Sequence, residues 1–220
     1  MQITIGNVLS AAEVETVRAA VDAVRFVDGR ATAGFAARTV KDNQQADASD
    51  RSLETVRALL AERILANDVF ALAVRPKMLS RLLFSRYADG MSYGTHIDDA
   101  LMQGMRSDVS FTLFLSDPTS YQGGELVIES ASGEDEVKLA PGALVAYPST
   151  SLHRVNAVTR GVRLAAVGWV RSFIRDATRR ELLFDLDTAR RSMFTREGKS
   201  AEFDLISKSL ANLMRMWAED

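Results

Sequence analysis

Between residues 70 and 170 the chain is written in short β-rich runs closed by turn chemistry, and that rhythm limits it to an antiparallel β core. The runs fall at residues 70–74, 79–87, 109–115, 125–128, 136–139, 143–147, 153–158 and 162–170. Asp89-Gly90, Gly123-Gly124, Ser132-Gly133, Pro141-Gly142 and Arg160-Gly161 separate them. About eight short strands at this spacing point to a sandwich or a jelly roll. Helical periodicity flanks the core. Ser10-Ala11-Ala12-Glu13 reads as a capping box opening an amphipathic helix to about residue 24. The polar stretch 41–50, with Asn43, Gln44 and Gln45, reads as a loop. A second helix follows over about 53–65, with Val56, Leu59, Leu60, Ile64 and Leu65 on its apolar side. After Arg175 two apolar stripes return at helical spacing. One joins Leu182, Leu183, Leu186 and Met193; the other joins Phe203, Ile206, Leu210, Leu213 and Trp217 at near-heptad intervals. The expected division is one domain over 1–176, with helices within 10–65 and a β core over 70–176, plus a helical appendage over 177–220.

Composition sets bounds on function. Hydrophobic residues make up 47% and charged residues 25% of the 220, an ordinary globular balance. The net charge of −2 argues against a general nucleic-acid binder. The absence of cysteine excludes disulfides, thiolate zinc sites and iron–sulfur clusters. No apolar run approaches the roughly 20 residues of a membrane span. Met1-Gln2-Ile3-Thr4-Ile5 lacks the basic and apolar regions of a secretory signal, so a cytoplasmic protein with no membrane partner is expected. The histidine count is the sharpest number: there are 2, His96 and His153.

His96-Ile97-Asp98 follows the loop 87–94, where a strand is plausible. On a strand, residues i and i+2 share a face, so an imidazole and a carboxylate could reach one ion. His153 begins a later β run that a sandwich could fold opposite. Two imidazoles and one carboxylate on one side of an ion make the facial triad of non-haem iron(II) oxygenases. A surface turn, or a hydrogen-bonded core histidine, is the plain alternative for each of these residues. Arg163 strengthens the metal reading. It lies in the apolar strand Val162-Arg163-Leu164-Ala165-Ala166-Val167-Gly168-Trp169, where a guanidinium is costly to bury without an anion. A carboxylate is its natural bidentate partner, and the distal carboxylate of 2-oxoglutarate would supply one. A protein carboxylate or an exposed strand end is the alternative for Arg163; Arg160, beside Gly161, is the competing arginine.

The residues that surround these positions carry a resemblance. Arg86-Tyr87-Ala88-Asp89-Gly90-Met91-Ser92-Tyr93-Gly94-Thr95-His96-Ile97-Asp98, Tyr121-Gln122-Gly123-Gly124-Glu125-Leu126, Pro141-Gly142, and Ser151-Leu152-His153 through Arg163 to Trp169 resemble the PKHD-type branch of the Fe(II)/2-oxoglutarate dioxygenases. With Arg180-Glu181-Leu182-Leu183-Phe184-Asp185-Leu186-Asp187, the chain is similar to the PiuC-type hydroxylases linked with iron uptake. The resemblance implies a double-stranded β-helix, with His96, Asp98 and His153 as iron ligands and Arg163 on the 2-oxoglutarate distal carboxylate. It places Tyr87 on the co-substrate pocket and brings L-ascorbate as an expected reductant. Some relatives carry a tyrosine on the strand after the His-x-Asp loop. Here that strand reads Ser110-Phe111-Thr112-Leu113-Phe114, and Thr112 offers a hydroxyl instead.

The expected activity couples oxidative decarboxylation of 2-oxoglutarate to hydroxylation of a C–H bond by dioxygen. The substrate is a small molecule or a peptidyl side chain. A cupin-type enzyme would want histidines this chain lacks. A non-enzymatic iron or ligand sensor on a jelly roll is the second reading. For the appendage, packing within the chain and a homodimer are both open, and a homodimer is the expectation.

Overall fold

A computed structural model describes residues 1–219. Five α-helices frame the core: α1 (Ala11–Asp22), α2 (Glu54–Ala66), α3 (Asp68–Val74), α4 (Ala177–Glu197) and α5 (Ala201–Trp217). The capping box at the start of α1 forms in both directions. The Glu13 amide donates to the Ser10 hydroxyl, and the Ser10 amide donates to the Glu13 carboxylate at 2.8 Å.

Two antiparallel sheets make the jelly roll. The larger runs Ile3–Ile5, Leu144–Pro148, Val109–Phe114, Arg163–Ser172, Leu83–Tyr87, Gln44–Ala46 and Phe26–Asp28, with Pro76–Leu79 also pairing Arg163–Ser172. The smaller runs Gly133–Val137, Leu126–Ser130, His153–Val155, Ser92–His96 and Lys41–Asp42. Strand alternation divides the core between two layers. Val109, Phe111 and Leu113 pack with Leu164, Ala166 and Val170 against the apolar faces of α1, α2 and α3. Phe114, Tyr87, Val145 and Tyr147 face Leu126, Ile128, Val137 and Val155 of the smaller sheet. The site opens between the sheets, on that second layer.

The C-terminal helices form a hairpin with their own small core. Ile174, Leu183 and Leu210 are buried there, with Leu186, Ile206, Leu213, Met214 and Trp217 packed around them. The near-heptad stripe therefore faces α4 within the chain. Leu182 departs from the expected stripe and is exposed, as is Leu65 at the end of α2.

Three local readings change. Residues 70–74 form the end of helix α3, not a strand. The Asn67 carboxamide caps the Phe70 amide at 3.0 Å, and Phe70, Ala73 and Val74 lie at i, i+3 and i+4. A five-residue apolar run does not distinguish the two periods. The region 79–87 is two strands, Pro76–Leu79 and Leu83–Tyr87, and the end of the expected 87–94 loop belongs to strand Ser92–His96. The expected loop 41–50 contains strands Lys41–Asp42 and Gln44–Ala46, which join one sheet to the other. Their pattern is inverted: Lys41, Asn43 and Gln45 are buried, while Asp42 is exposed. An inward polar face carries no hydrophobic alternation to read.

Gly123 shows why the Gly-Gly turn matters. Its φ is +72°, and a Cβ there would lie 1.9 Å from the Ala157 carbonyl oxygen. Gly123→Ala is expected to cost at least about 1–3 kcal/mol from backbone conformation alone. Urea unfolding checks this, and a variant as stable as the parent would contradict the geometry.

Candidate metal centre

The two histidines are cross-strand partners. In the pairing of Ser92–His96 with His153–Val155, His153 stands opposite His96, and the ring centroids are 4.2 Å apart. Both side chains are buried. Each ring is oriented by its own backbone. His96 Nδ1 lies 2.9 Å from the Gly94 carbonyl, and His153 Nδ1 lies 3.1 Å from the Ser151 carbonyl. A carbonyl only accepts, so each Nδ1 carries the proton and each Nε2 keeps a free lone pair. Burial, followed by the neighbouring His153, pushes His96 down to about 4. The imidazole is therefore neutral near pH 7, the form that binds metal.

Asp98 completes the group, but not by strand alternation. The strand ends at His96, Ile97 is exposed, and Asp98 lies in the loop beyond. Its carboxylate is aimed from the opposite sheet. Ser110 Oγ donates to Asp98 Oδ2 at 2.6 Å, and Ser149 Oγ lies 2.8 Å from Ser110 Oγ. Asp98 Oδ2 stands 3.8 Å from His153 Nε2. One ligand atom from each of His96, Asp98 and His153 lies within 4.8 Å of the others. Two imidazole nitrogens and one carboxylate oxygen converging from one side fit a metal that keeps other positions open, as iron(II) does in such sites.

Arg163 lines the same cavity and is 1% exposed. It is the register partner of Tyr87, and its guanidinium carbon lies 5.3 Å from the centroids of both Tyr87 and Phe114. Its Nε has no hydrogen-bond partner, and among the described residues no carboxylate pairs with it. Gly124 makes room for it: a Cβ there would lie 3.1 Å from Arg163 Cδ and 2.8 Å from Val158 Cγ2. The donor set thus suits a carboxylate ligand that the chain itself does not provide. Arg160 is exposed at the edge of a separate strand pair.

Beyond Tyr87, which the sequence reading places on the pocket, several contributors went unread. Tyr87, Tyr93 and Tyr147 line the cavity, and Tyr121 lies beside Arg163, so all 4 tyrosines of the chain surround the site. Tyr93 stacks on His96 with centroids 3.5 Å apart, and Tyr147 meets His153 edge-on at 5.1 Å. Burial pushes the Tyr87, Tyr93 and Tyr147 hydroxyls above the usual phenol range, which keeps them protonated. Thr112 stands beside the Tyr147 hydroxyl. Strand Val109–Phe114 carries no tyrosine, and its neighbour Leu144–Pro148 brings Tyr147 into the cavity beside it. Ser110 was legible in principle: it alternates with Thr112 in a strand whose every residue is buried.

Ser110→Ala removes the donor that aims Asp98. Outer-shell partners of metal ligands carry about 10- to 100-fold in affinity. Iron(II) titration is expected to show a loss in that range with the fold intact, and an unchanged affinity would remove Ser110 from the site.

Comparison with known proteins agrees with this geometry. Residues 82–171 match the 2OG-Fe(II) oxygenase superfamily, and residues 176–219 match the PKHD-type hydroxylase C-terminal domain. A PKHD-type hydroxylase of Picosynechococcus is 53% identical over 219 residues, covering 100% of both chains. One from Maricaulis maris is 51% identical over 220 residues, again covering 100% of both. Among solved structures, a Pseudomonas putida prolyl-4-hydroxylase matches with TM-score 0.57 at 24% identity, over 78% of this chain and 92% of that one. HygX from Streptomyces hygroscopicus, solved with nickel and 2-oxoglutarate, matches with TM-score 0.57 at 18% identity, over 79% and 84%. These two likenesses concern the fold. The relatives that match over the whole length at 51% and 53% identity settle the family: the chain belongs to the PKHD-type hydroxylases of the 2OG-Fe(II) oxygenase superfamily, enzymes that use iron(II) and 2-oxoglutarate.

Proposed function

We propose that His96, Asp98 and His153 hold the iron and that Arg163 takes the distal carboxylate of 2-oxoglutarate, with Tyr87 and Thr112 lining the co-substrate pocket. The target is a C–H bond of an amino-acid side chain or a small molecule. The observation that carries the assignment is Arg163: a guanidinium buried to 1% exposure in the cavity of the triad, with no carboxylate of the described residues paired to it. When bound, iron(II) and 2-oxoglutarate supply dioxygen activation, with succinate and carbon dioxide as co-products of C–H hydroxylation. The chain's own part is geometry and exclusion of water. Arg163 fixes one end of the co-substrate. The backbone carbonyls of Gly94 and Ser151 hold the imidazoles with Nε2 free. Phe114, Tyr87 and Tyr147 keep the cavity wall dry. No side chain is needed as a general base.

The sensor alternative has no observation in its favour once the chain is placed among hydroxylases. The PiuC-type link to iron uptake and the use of ascorbate rest on the resemblance alone. Among the described residues no helix is long and apolar enough to cross a membrane. A cytoplasmic site of action is part of this proposal, on the sequence reading above. So is the treatment of residues 1–176 and 177–220 as catalytic domain and appendage.

Arg163→Lys keeps the charge but loses the planar fork. Losing one charge-assisted hydrogen bond costs about 1.5–3 kcal/mol, so the KM for 2-oxoglutarate is expected to rise about 10- to 100-fold. Iron affinity should be unchanged. His96→Ala and His153→Ala should each abolish iron-dependent succinate release. An unchanged KM in Arg163→Lys would overturn the co-substrate assignment.

The hairpin also bears on assembly. Phe194, Leu205 and Met216 remain exposed on α4 and α5, at 52%, 57% and 72%. A homodimer through the exposed apolar side chains of these helices is proposed. Light scattering should give twice the chain mass, falling toward monomer in Leu205→Glu/Met216→Glu. A monomer at high concentration would rule it out.

A further inference from the structure

One stretch of the cavity wall is polar and is not used by the assignments above. Lys41, Asn43 and Gln45 alternate along the crossing from one sheet to the other. All three are buried, at 6%, 3% and 4% exposure, and all three line the cavity of the triad. Lys41 Nζ donates to Thr32 Oγ1 at 3.0 Å and lies 4.9 Å from the Tyr93 ring centroid. Among the described residues no carboxylate comes within ion-pair distance of it; Asp98 and Asp28 act on it only from further away. Thr32 Oγ1 in turn donates to Gln45 Oε1 at 2.9 Å. The Asn43 carboxamide lies beside the Tyr87 hydroxyl, yet neither its oxygen nor its nitrogen closes a hydrogen bond of ordinary geometry.

Charge accounting separates Lys41 from the co-substrate. Two cationic side chains line the cavity, Arg163 and Lys41. On the reading above, 2-oxoglutarate spends one carboxylate on Arg163 and the other on the metal. Lys41 is left with a neutral hydroxyl as its one hydrogen-bond partner. It lies over the ring of the tyrosine that stacks on His96 and shares a cavity with that histidine, so it borders the reacting centre. Burying an ammonium without a counter-ion is costly, and a chain that keeps one in its active cavity has a use for it.

We propose that Lys41 is the substrate anchor, and that the hydroxylated substrate presents a carboxylate to it, with Asn43 and Gln45 as neighbouring hydrogen-bonding groups. The inference rests on the proposed function for the position of the metal and of 2-oxoglutarate. Burial pushes the Lys41 ammonium down to about 8, so most of it is charged near pH 7. A ligand carboxylate would complete the ion pair that the fold leaves open. The carboxylate could belong to a free amino acid or to an acidic side chain in a peptide.

The test uses full-length protein loaded with manganese(II) and saturating 2-oxoglutarate, without dioxygen. Binding is read by Trp fluorescence, since Trp169 lines the cavity. The probes are a panel of free amino acids, the matching α-carboxamides, and end-blocked tripeptides carrying Asp or Glu. At least one free amino acid is expected to bind about 10- to 100-fold tighter than its carboxamide, or one acidic tripeptide tighter than its Asn or Gln counterpart by the same factor. That preference should vanish in Lys41→Met, return in Lys41→Arg, and leave 2-oxoglutarate affinity in place. Which arm responds identifies the source of the carboxylate. Equal binding of acid and amide, or no probe whose binding depends on Lys41, overturns the proposal. Failure of the wild-type protein to bind 2-oxoglutarate would instead strike the parent reading, and a separate 2-oxoglutarate titration reports that.

Discussion

The site depends on one antiparallel pairing. Ser92–His96 meets His153–Val155 in a register that sets the two imidazoles against each other, tilted by 53°, and a side-chain period of 2 leaves no tolerance. A slip of one residue would turn His96 toward the outside of the sheet and bring Thr95, which is exposed, into the cavity. Register is held on both flanks. Leu126–Ser130 pairs with the His153 strand through Leu126, Val127 and Ile128, all buried, and Lys41–Asp42 pairs with the other edge through Tyr93 and Ser92. The same short strand thus fixes His96 and, three residues earlier, the tyrosine that stacks on His96 and lies 4.9 Å from the Lys41 ammonium.

The cavity is expensive for the fold. Arg163 Nε, Trp169 Nε1, Tyr121 Oη and both polar atoms of Asn43 are buried without hydrogen-bond partners. Each such group costs about 1–3 kcal/mol relative to a satisfied one. Stability therefore has to come from elsewhere. The layer between the larger sheet and helices α1 to α3 is almost wholly apolar, with Phe70 and Phe111 packed edge to face at 5.8 Å. One face of strand Val109–Phe114 serves that layer and the other serves the site. Stability and chemistry are divided between alternate residues of the same strand.

That division also decides what the sequence revealed. The apolar layer, the turns and the capping box obey local rules, so the jelly roll and the first two helices could be read from periodicity and turn chemistry. Arg163 stood out because a charge breaks an apolar strand. His96 and His153 stood out because the chain has no others. Lys41, Asn43 and Gln45 did not stand out. Polar residues that point inward on a crossing strand have the composition of a loop, and only the tertiary structure turns them toward a cavity. Asp98 joined the histidines by a different route from the expected alternation. The cause is Ser110, which sits on the other sheet, 12 residues away along the chain. No pattern local to His96-Ile97-Asp98 contains it.

The appendage reaches the site through the same strand. Arg180 of α4 is buried and donates to the Ile174, Arg175 and Asp108 carbonyls, at 2.8, 2.8 and 3.4 Å. Asp108 in turn takes the Ser172 amide at 2.8 Å and the Arg106 guanidinium, which also pairs with Glu219 beyond the end of α5. Ser149 donates its amide to the Asp108 carbonyl, and its hydroxyl meets Ser110, the residue that holds Asp98. Asp187, buried on α4, gathers Arg75, Arg190 and Arg191, and Arg75 follows α3 directly. The hairpin is therefore bonded to one end of the strand pair, where Asp108 and Ser172 lie beside the residues that support Asp98. Its buried charges, Arg180 and Asp187, are satisfied in this way, and the hairpin braces the residues that aim Asp98, while the histidines on the smaller sheet are aimed by their own backbone.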